Sequence, residues 1–178
     1  MNKRLESQRG ALLLEVLVSI VIFSIGILAM ISMQAASVAA QADAQYRVEA
    51  GRLIDQLIAN IRVSVTHDPS TGALNTTNLD TFKHRAPAVA STATTCPFGN
   101  TANSTNSVVT DWIAAVQGLD TGGNPVPGKG LPGNTDDTTQ EIVVDHSTAG
   151  INQVRVTLCW RAPGDTAYHW HRVLAYVD

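Results

Sequence analysis

Residues 11–33 form an apolar run that contains one charged side chain, Glu15. Eighteen of these 23 residues are apolar, and the others besides the glutamate are small: Ser19, Ser24, Gly26 and Ser32. At the rise of an α-helix the run would reach about 34 Å, which is enough to cross a hydrocarbon core of about 30 Å. The run therefore predicts a transmembrane helix.

Glu15 is the unfavourable position in that helix. A carboxylate inside a membrane helix costs about 2.5–3.5 kcal/mol on insertion scales. No other residue of the run carries a charge that could neutralise it. We therefore expect Glu15 to take up a proton or to meet a partner, which would be a chain terminus or a group on another chain.

The ten residues before the run indicate how the predicted transmembrane helix is oriented in the membrane. They carry three basic side chains, Lys3, Arg4 and Arg9, against the single acid Glu6. Such an excess of basic residues keeps a flanking segment in the cytoplasm and sends the chain after the helix to the other side. Gly10 lies at the junction, and Glu15 is the fifth residue after it.

The segment RGALLLEVLVSIVIFSIGILAM, residues 9–30, resembles the class III signal of type IV pilins and type II secretion pseudopilins. The resemblance implies that residues 1–10 are a prepilin leader. A prepilin peptidase would cut between Gly10 and Ala11 and methylate the new amine of Ala11. Glu15 would be the assembly carboxylate, which pairs with the N-terminal amine of a neighbouring subunit. The family usually has phenylalanine where this chain has Ala11.

Two simpler interpretations of the run were weighed. An ordinary secretory signal would have an apolar core of about 7–15 residues and a small-residue cut, for which residues 35–40 (AASVAA) are suitable. The run is longer than such a core and carries a carboxylate. A plain single-pass anchor, with Glu15 facing a partner helix, is the second alternative.

Composition is typical of a small exported domain. Residues 11–178 carry 9 Lys and Arg against 14 Asp and Glu, a balance that gives no general attraction to nucleic acid. Cys96 and Cys159 are 63 residues apart and fit no metal-ligand spacing. In an oxidising periplasm they predict one disulfide, with two unpaired thiols as the alternative.

The helical pattern continues through residues 34–65, where it becomes amphipathic. Apolar side chains recur there at spacings of three or four: Val38, Ala42, Tyr46, Ala50, Leu53, Leu57 and Ile61, widened by Ile54 and Ile58. Asp68 and Pro69 are a plausible stop. We expect one long N-terminal helix with a membrane half, residues 11–33, and an amphipathic half, residues 34–65.

Residues 66–140 are a variable region with few signals. Val109, Trp112 and their neighbours predict a short helix near residues 108–118, which would be capped by Asn106 or Ser107. Trp112 is expected to be a core anchor. Residues 128–130 (GKG) lack the rest of a phosphate-binding loop, so they predict no nucleotide site.

Residues 141–178 alternate with period two and predict an antiparallel β-meander of three or four strands. The amphipathic half of the helix would cover its apolar face. In the last strand we placed the aromatic positions, such as Trp170, toward the core and the histidines toward solvent. The predicted class is α+β, and the resemblance implies a type IV pilin-like fold.

Three polar groupings were weighed as sites. A metal site would use His146, His169 and His171; a basic patch would use Arg155, Arg161 and Arg172; a calcium site would use Asp136 and Asp137 with Glu141 or Asp145. We expect Arg155 and Arg161 to share a face, with Arg172 among the aromatic residues. Each grouping is interpreted as a solvated face, and we expect no catalytic residue, metal or cofactor.

The resemblance favours a minor pilin of a type IV pilus, closest to the PilV-type minor pilins. Such proteins help to initiate pilus assembly and support twitching motility, adhesion and DNA uptake. The implied partners are other minor pilins, the major pilin, the prepilin peptidase and the inner-membrane assembly platform, without a small-molecule substrate or nucleic acid. A minor pseudopilin of type II secretion is the main alternative, and a membrane-anchored periplasmic enzyme is the third.

The same resemblance implies a location. Before assembly the chain would cross the bacterial inner membrane once, with its N-terminus in the cytoplasm and its C-terminal domain in the periplasm. After assembly it would lie in the pilus.

Overall fold

The computed structural model describes residues 4–87, 96–99, 102–147 and 151–178, with side chains from residue 12 onward. Its helices are α1 (Arg4–Ser64), α2 (Thr76–Asp80), α3 (Ser107–Gln117) and a 3₁₀ helix (Asp137–Thr139). Its strands are β1 (Gln140–Asp145), β2 (Gln153–Trp160) and β3 (His169–Tyr176). The chain divides into two compact units, Met1–Ala44 and Gln45–Asp178.

The first unit is the N-terminal part of α1, and most of its described side chains are exposed. All side chains from residue 12 to residue 41 are exposed. The hydroxyls of Ser19, Ser24 and Ser32 donate to the carbonyl oxygen four residues earlier, at 2.8, 2.7 and 3.1 Å. These small polar side chains are therefore satisfied inside the helix, as a lipid environment requires.

In the described part of the chain, α1 is the one helix that is long and apolar enough to cross a membrane, judged by length and composition. Its most apolar window has a mean hydropathy of 2.7, and no part of that window is buried. A contiguous apolar surface of this extent is unusual on a soluble monomer. The helix could thus be a membrane anchor, and the long apolar N-terminal helix that was predicted is present.

The second unit is built around the later part of α1, which lies on the sheet. Leu53, Leu57 and Ile61 are fully or almost fully buried. Across from them, Trp112 of α3 is also buried, and its indole N–H donates to the carbonyl of Leu53 at 2.8 Å. Burial and this hydrogen bond together fix α3 against α1, so Trp112 is the core anchor that was expected.

The amphipathic stripe is shorter than predicted. Val38, which begins the stripe in the sequence, is 64 % exposed. Within the second unit the cover starts with Tyr46, which packs against the core, and Ala50, which is fully buried. A regular spacing of apolar residues marks a helix face, but it does not mark where the partner surface begins.

The sheet is an antiparallel meander in the order β1-β2-β3. Ile142 of β1 pairs with Val156 of β2, which in turn pairs with Val173 of β3. The α+β class and a C-terminal meander of three strands are thus confirmed. The first strand begins one residue earlier than predicted, at Gln140, and ends at Asp145.

The two faces of β3 are the reverse of our prediction. Trp160 pairs with His169 and Leu158 pairs with His171, so both histidines share the face that packs on α1. Trp170 lies on the other face and is 48 % exposed. The apolar character of the β3 side chains suggested that the face with Trp170 turns inward. The register with β2 instead decides which face of β3 packs on α1.

The predicted disulfide between Cys96 and Cys159 is present, with the two α-carbons 6.2 Å apart. It closes a loop of 63 residues, which by the chain-entropy model stabilises the fold by about 4 kcal/mol. The bond attaches residues 96–99 to the sheet face that is turned away from α1. Thr157 and Cys159 are fully buried there.

α3 ends at Gln117 and is capped by Gly118, where the loop of residues 119–131 returns closely to the helix. The backbone at Gly118 has a φ of 72°. A β-carbon at this position would lie 2.2 Å from the carbonyl oxygen of Lys129. Leu131 also donates its N–H to the carbonyl of Val116 at 2.8 Å. Position 118 therefore requires glycine for two reasons: its left-handed backbone conformation and the lack of space for a β-carbon.

We predict that Gly118→Ala destabilises the second unit more than Gly128→Ala does. Gly128 has a similar φ of 77° but open space at the β-carbon position, so its substitution should cost only the left-handed penalty of about 1–2 kcal/mol. Gly118→Ala adds the backbone contact. Thermal unfolding followed by tryptophan fluorescence should show the larger fall for Gly118→Ala, and equal falls would contradict the close approach.

Candidate functional site

Glu15 lies on the exposed surface of α1, in a shallow depression formed by apolar neighbours and one serine. The depression is lined by Leu12, Val16, Ser19, Ile20 and Phe23. Among the described residues, the carboxylate of Glu15 has no hydrogen-bond or ion-pair partner. The hydroxyl of Ser19 bonds to the backbone oxygen of Glu15, not to its carboxylate.

Gly10 and Ala11 lie within α1. The side chain of Ala11, and all of residues 1–3, lie outside the described part of the structure. Cleavage between these two residues and methylation of Ala11 stay predictions from the sequence.

The arrangement around Glu15 suits association better than catalysis. A carboxylate in a medium of low dielectric constant attracts a cation far more strongly than it does in water. The apolar side chains around it offer lateral packing without hydrogen bonds. Nothing else in this depression can transfer a proton or act as a nucleophile except the hydroxyl of Ser19, which is already donated to the backbone.

The three histidines considered as a metal site are not brought together. His146 directly follows β1, whose last residue Asp145 pairs with Gln153. His169 pairs with Trp160, seven residues further along β2, or about 23 Å away. In the part of the chain that the structure describes, no three His, Cys, Asp or Glu side chains form a group able to hold a metal ion.

Two of the three histidines instead contact carboxylates. His146 lies with Nε2 2.9 Å from the Asp80 carboxylate. His169 contacts the Asp165 carboxylate at the same distance, and its ring stacks on Trp160. Nε2 of His171 lies 3.8 Å from the point that a β-carbon on Gly51 would occupy.

Three of the acidic side chains considered as calcium ligands form hydrogen bonds or ion pairs with other parts of the chain. Asp136 caps the 3₁₀ helix by accepting the N–H of Thr138 at 2.9 Å. Asp137 forms an ion pair with Arg85 at 2.6 Å. Asp145 accepts the N–H of the second residue after it at 2.7 Å.

Two of the three arginines, Arg155 and Arg172, lie close together. Glu141, Thr157 and Arg172 are aligned across the three strands, and Arg155 lies near Glu141 on the same face. The guanidinium of Arg172 donates to the hydroxyl of Thr157 at 3.1 Å. Arg161 follows the end of β2 and is exposed, and its guanidinium lies 5.3 Å from the centre of the Tyr168 ring.

The electrostatics of this cluster reflect its burial. Loss of solvent raises the pKa of Glu141, while Arg155 and Arg172 act in the opposite direction. Loss of solvent, together with the neighbouring Arg155, lowers the pKa of Arg172. Asp145 also interacts with Arg155, so two guanidinium groups and two carboxylates lie close together on this sheet face.

Sequence analysis missed His84, which is 1 % exposed. Its backbone exchanges hydrogen bonds with Ile142 at 3.0 and 2.8 Å. Its Nδ1 accepts the N–H of Ser104, and its Nε2 lies 3.2 Å from the carbonyl of Asp137. These contacts assign the neutral ring with its proton on Nε2. No periodic pattern around residue 84 marks this position, because its partners come from distant segments.

Comparison of the chain with protein-family models, with curated proteins and with solved structures gives no match. The function is therefore inferred from the residues and their geometry.

We predict that the chain loses stability as the pH falls below about 6.5, the usual value for an unfolded histidine. Burial lowers the pKa of His84 in the folded state, so the unfolded state binds the proton more readily. The melting temperature should fall further between pH 7.5 and 5.5 for the wild type than for His84→Gln, which cannot titrate.

The carboxylates with lowered pKa, such as Asp80 and Asp136, titrate below this window and should affect both proteins alike. Equal pH dependence of the two melting temperatures would rule out the role given to His84.

Proposed function

We propose that this chain is a minor pilin of a type IV pilus, with a type IV pilin-like fold, and that it helps to initiate pilus assembly. The observation that carries the proposal is the single carboxylate of Glu15. It lies five residues after Gly10 on an uncovered apolar helix that leads into a disulfide-bonded α+β domain. Within the pilins, the chain is closest to the PilV type.

The exposed apolar surface of α1 supports this proposal, because the stem of a pilin would occupy two apolar environments in succession. Before assembly, lipid would cover the apolar side chains of residues 12–33. In a filament, neighbouring helices would take the place of lipid, and the terminal amine of an adjacent subunit would meet Glu15. Breaking a desolvated pair of this kind by removing one partner typically costs about 3–5 kcal/mol. The pair of Glu15 with the terminal amine would set the axial register of neighbouring subunits, and apolar packing between the helices would hold the subunits side by side.

The proposed location and partners follow from the same features. The N-terminus would lie in the cytoplasm, and the second unit in the periplasm, where a disulfide such as Cys96–Cys159 can persist. A prepilin peptidase would process the chain, and the inner-membrane platform would add it to other minor pilins and the major pilin. Twitching motility, adhesion and DNA uptake would depend on it indirectly, through the pilus.

A minor pseudopilin of a type II secretion system is the second candidate. The segment of residues 9–30 resembles both families, so the assembly chemistry of Glu15 would be the same. The long loop region favours the pilin.

A deletion strain separates the two candidates. Removal of the gene should abolish or reduce surface pili and twitching, while export of secreted proteins continues at the wild-type level. Complementation with the wild-type gene controls for effects on neighbouring genes. Normal piliation together with failed export would overturn the pilus assignment in favour of secretion.

We predict that Glu15→Leu impairs incorporation of the protein into filaments. It should not prevent cleavage of the leader or folding of the second unit. The substitution removes the carboxylate but keeps an apolar helix, so the leader should still be removed. Incorporation is measured as the fraction of the protein in sheared filaments. The matched control is Ser19→Ala, one turn away in the same depression, which should assemble normally.

Gly10→Val provides the processing reference, since it should retain the ten-residue leader and migrate as the larger precursor. Incorporation of the Glu15→Leu variant at the wild-type level would disprove the docking role.

A further inference from the structure

The buried ring of His84 connects three parts of the second unit. The backbone of His84 pairs with Ile142 of β1 through two hydrogen bonds, at 3.0 and 2.8 Å. Its Nδ1 accepts the N–H of Ser104 at 3.3 Å, and its Nε2 donates to the carbonyl of Asp137 at 3.2 Å. The ring therefore joins β1 and the 3₁₀ helix to the segment of residues 102–106.

The segment of residues 102–106 belongs to no helix or strand. The N–H of Arg85 donates to the carbonyl of Ala102 at 2.7 Å. The hydroxyl of Ser104 donates to the carbonyl of Thr81 at 2.7 Å. Because these are single bonds and not a ladder, the segment can open while the sheet stays paired.

Ser104 also supports the start of α3. Its hydroxyl accepts the N–H of Asn106 at 3.2 Å. The side chain of Asn106 in turn accepts the N–H of Val108 at 3.0 Å and caps the helix. A displacement of Ser104 would thus weaken the N-terminal cap of α3.

The backbone next to His84 favours opening of the segment. Arg85 has a φ of 48°, a left-handed conformation that is unfavourable for a residue with a β-carbon. Contacts with neighbouring segments hold it there: its N–H binds Ala102, and its guanidinium binds the carbonyl of Phe98 and the carboxylate of Asp137. Loss of the bond to Ala102 would remove one of these constraints.

Protonation of the ring is incompatible with the contact to Ser104. A neutral imidazole with its proton on Nε2 has one acceptor, Nδ1, and both nitrogens of the protonated ring are donors. A proton taken up from solvent at Nδ1 would place two N–H groups against each other. The segment must then move, so that water can accept the new donor.

The charged groups around the ring do not replace this contact. Among the described residues, Asp137 and Arg85 are the charged groups that act on the ring, and they form an ion pair with each other at 2.6 Å. Residues 102–106 carry no titratable side chain. The remaining charged side chains on the adjoining elements have other partners: Lys83 with Asp80, Asp136 with Thr138, and Glu141 with Arg155.

We propose that His84 is an acid-sensitive switch: uptake of a proton at Nδ1 releases residues 102–106 and the start of α3, while the sheet and the core stay folded. Burial of the ring lowers the pKa of His84 in the closed form, so acid favours the open form, in which the ring meets water. The switch is separate from the docking of Glu15, and it does not depend on the filament to which the chain belongs.

The test is amide hydrogen exchange of the full ¹⁵N-labelled chain in detergent micelles, followed by NMR from about pH 7.5 to 5.5 and corrected for the intrinsic exchange rate. The amide of Ser104 reports on the segment. The amide of Leu158, in the central strand and fully buried, reports on unfolding of the core. A low concentration of guanidinium chloride separates the two processes, because it promotes an opening in proportion to the surface exposed.

We expect the amide of Ser104 to be less protected than that of Leu158 at each pH, and its protection to be insensitive to the denaturant. Its protection should fall several-fold, and at most about tenfold, for each pH unit below about 6.5. Equal protection of the two amides with the same denaturant dependence would leave only global unfolding and would overturn the switch. Protection of Ser104 that does not change with pH would overturn it as well.

The matched variant is His84→Asn. The side-chain oxygen of asparagine can accept the N–H of Ser104 in place of Nδ1, and the amide does not titrate. The pH dependence of Ser104 protection should therefore disappear, although the other four histidines are retained. A fall in protection as large as in the wild type would contradict the role of His84.

The ring nitrogen shifts of His84 provide a measurement that does not require the variant to fold. In the wild-type protein they should show the proton on Nε2 at pH 7.5, and uptake of a second proton over the pH range in which Ser104 loses protection. A ring that stays neutral while Ser104 loses protection would assign the opening to another group.

Discussion

The apolar surface of α1 requires cover along most of its length, and this requirement shapes the rest of the structure. From Ala50 to Ile61 the cover comes from the sheet and from α3, where Trp112 also bonds to the helix backbone. From Leu12 to Met33 the described chain provides none. The same helix thus has one part that is covered within the second unit and one part that the described residues leave exposed.

The strand β2 is the centre of the internal cover. It pairs on both sides, and its residues are buried on both faces toward its C-terminal end. One face lies on α1, and the disulfide from Cys159 attaches a loop to the other. The position of β2 also sets the register of β3, and through that register it places two histidines inward and an aromatic row outward.

The role proposed for Glu15 combines one charge with apolar packing. On an apolar helix, that charge would select a cationic group and a lateral helix partner.

The sequence by itself determined the elements whose signals are local. Helix α1 follows from an apolar run and a stripe with helical spacing, α3 from that spacing and its Asn106 cap, and the three strands from alternation. The disulfide followed from the cysteine count and the expected compartment. Only the tertiary structure decided the phase of β3, the cluster of Arg155 with Arg172, and the burial of His84. Local patterns carry the period of a helix or strand, but which face turns inward depends on pairing with residues far away in the chain.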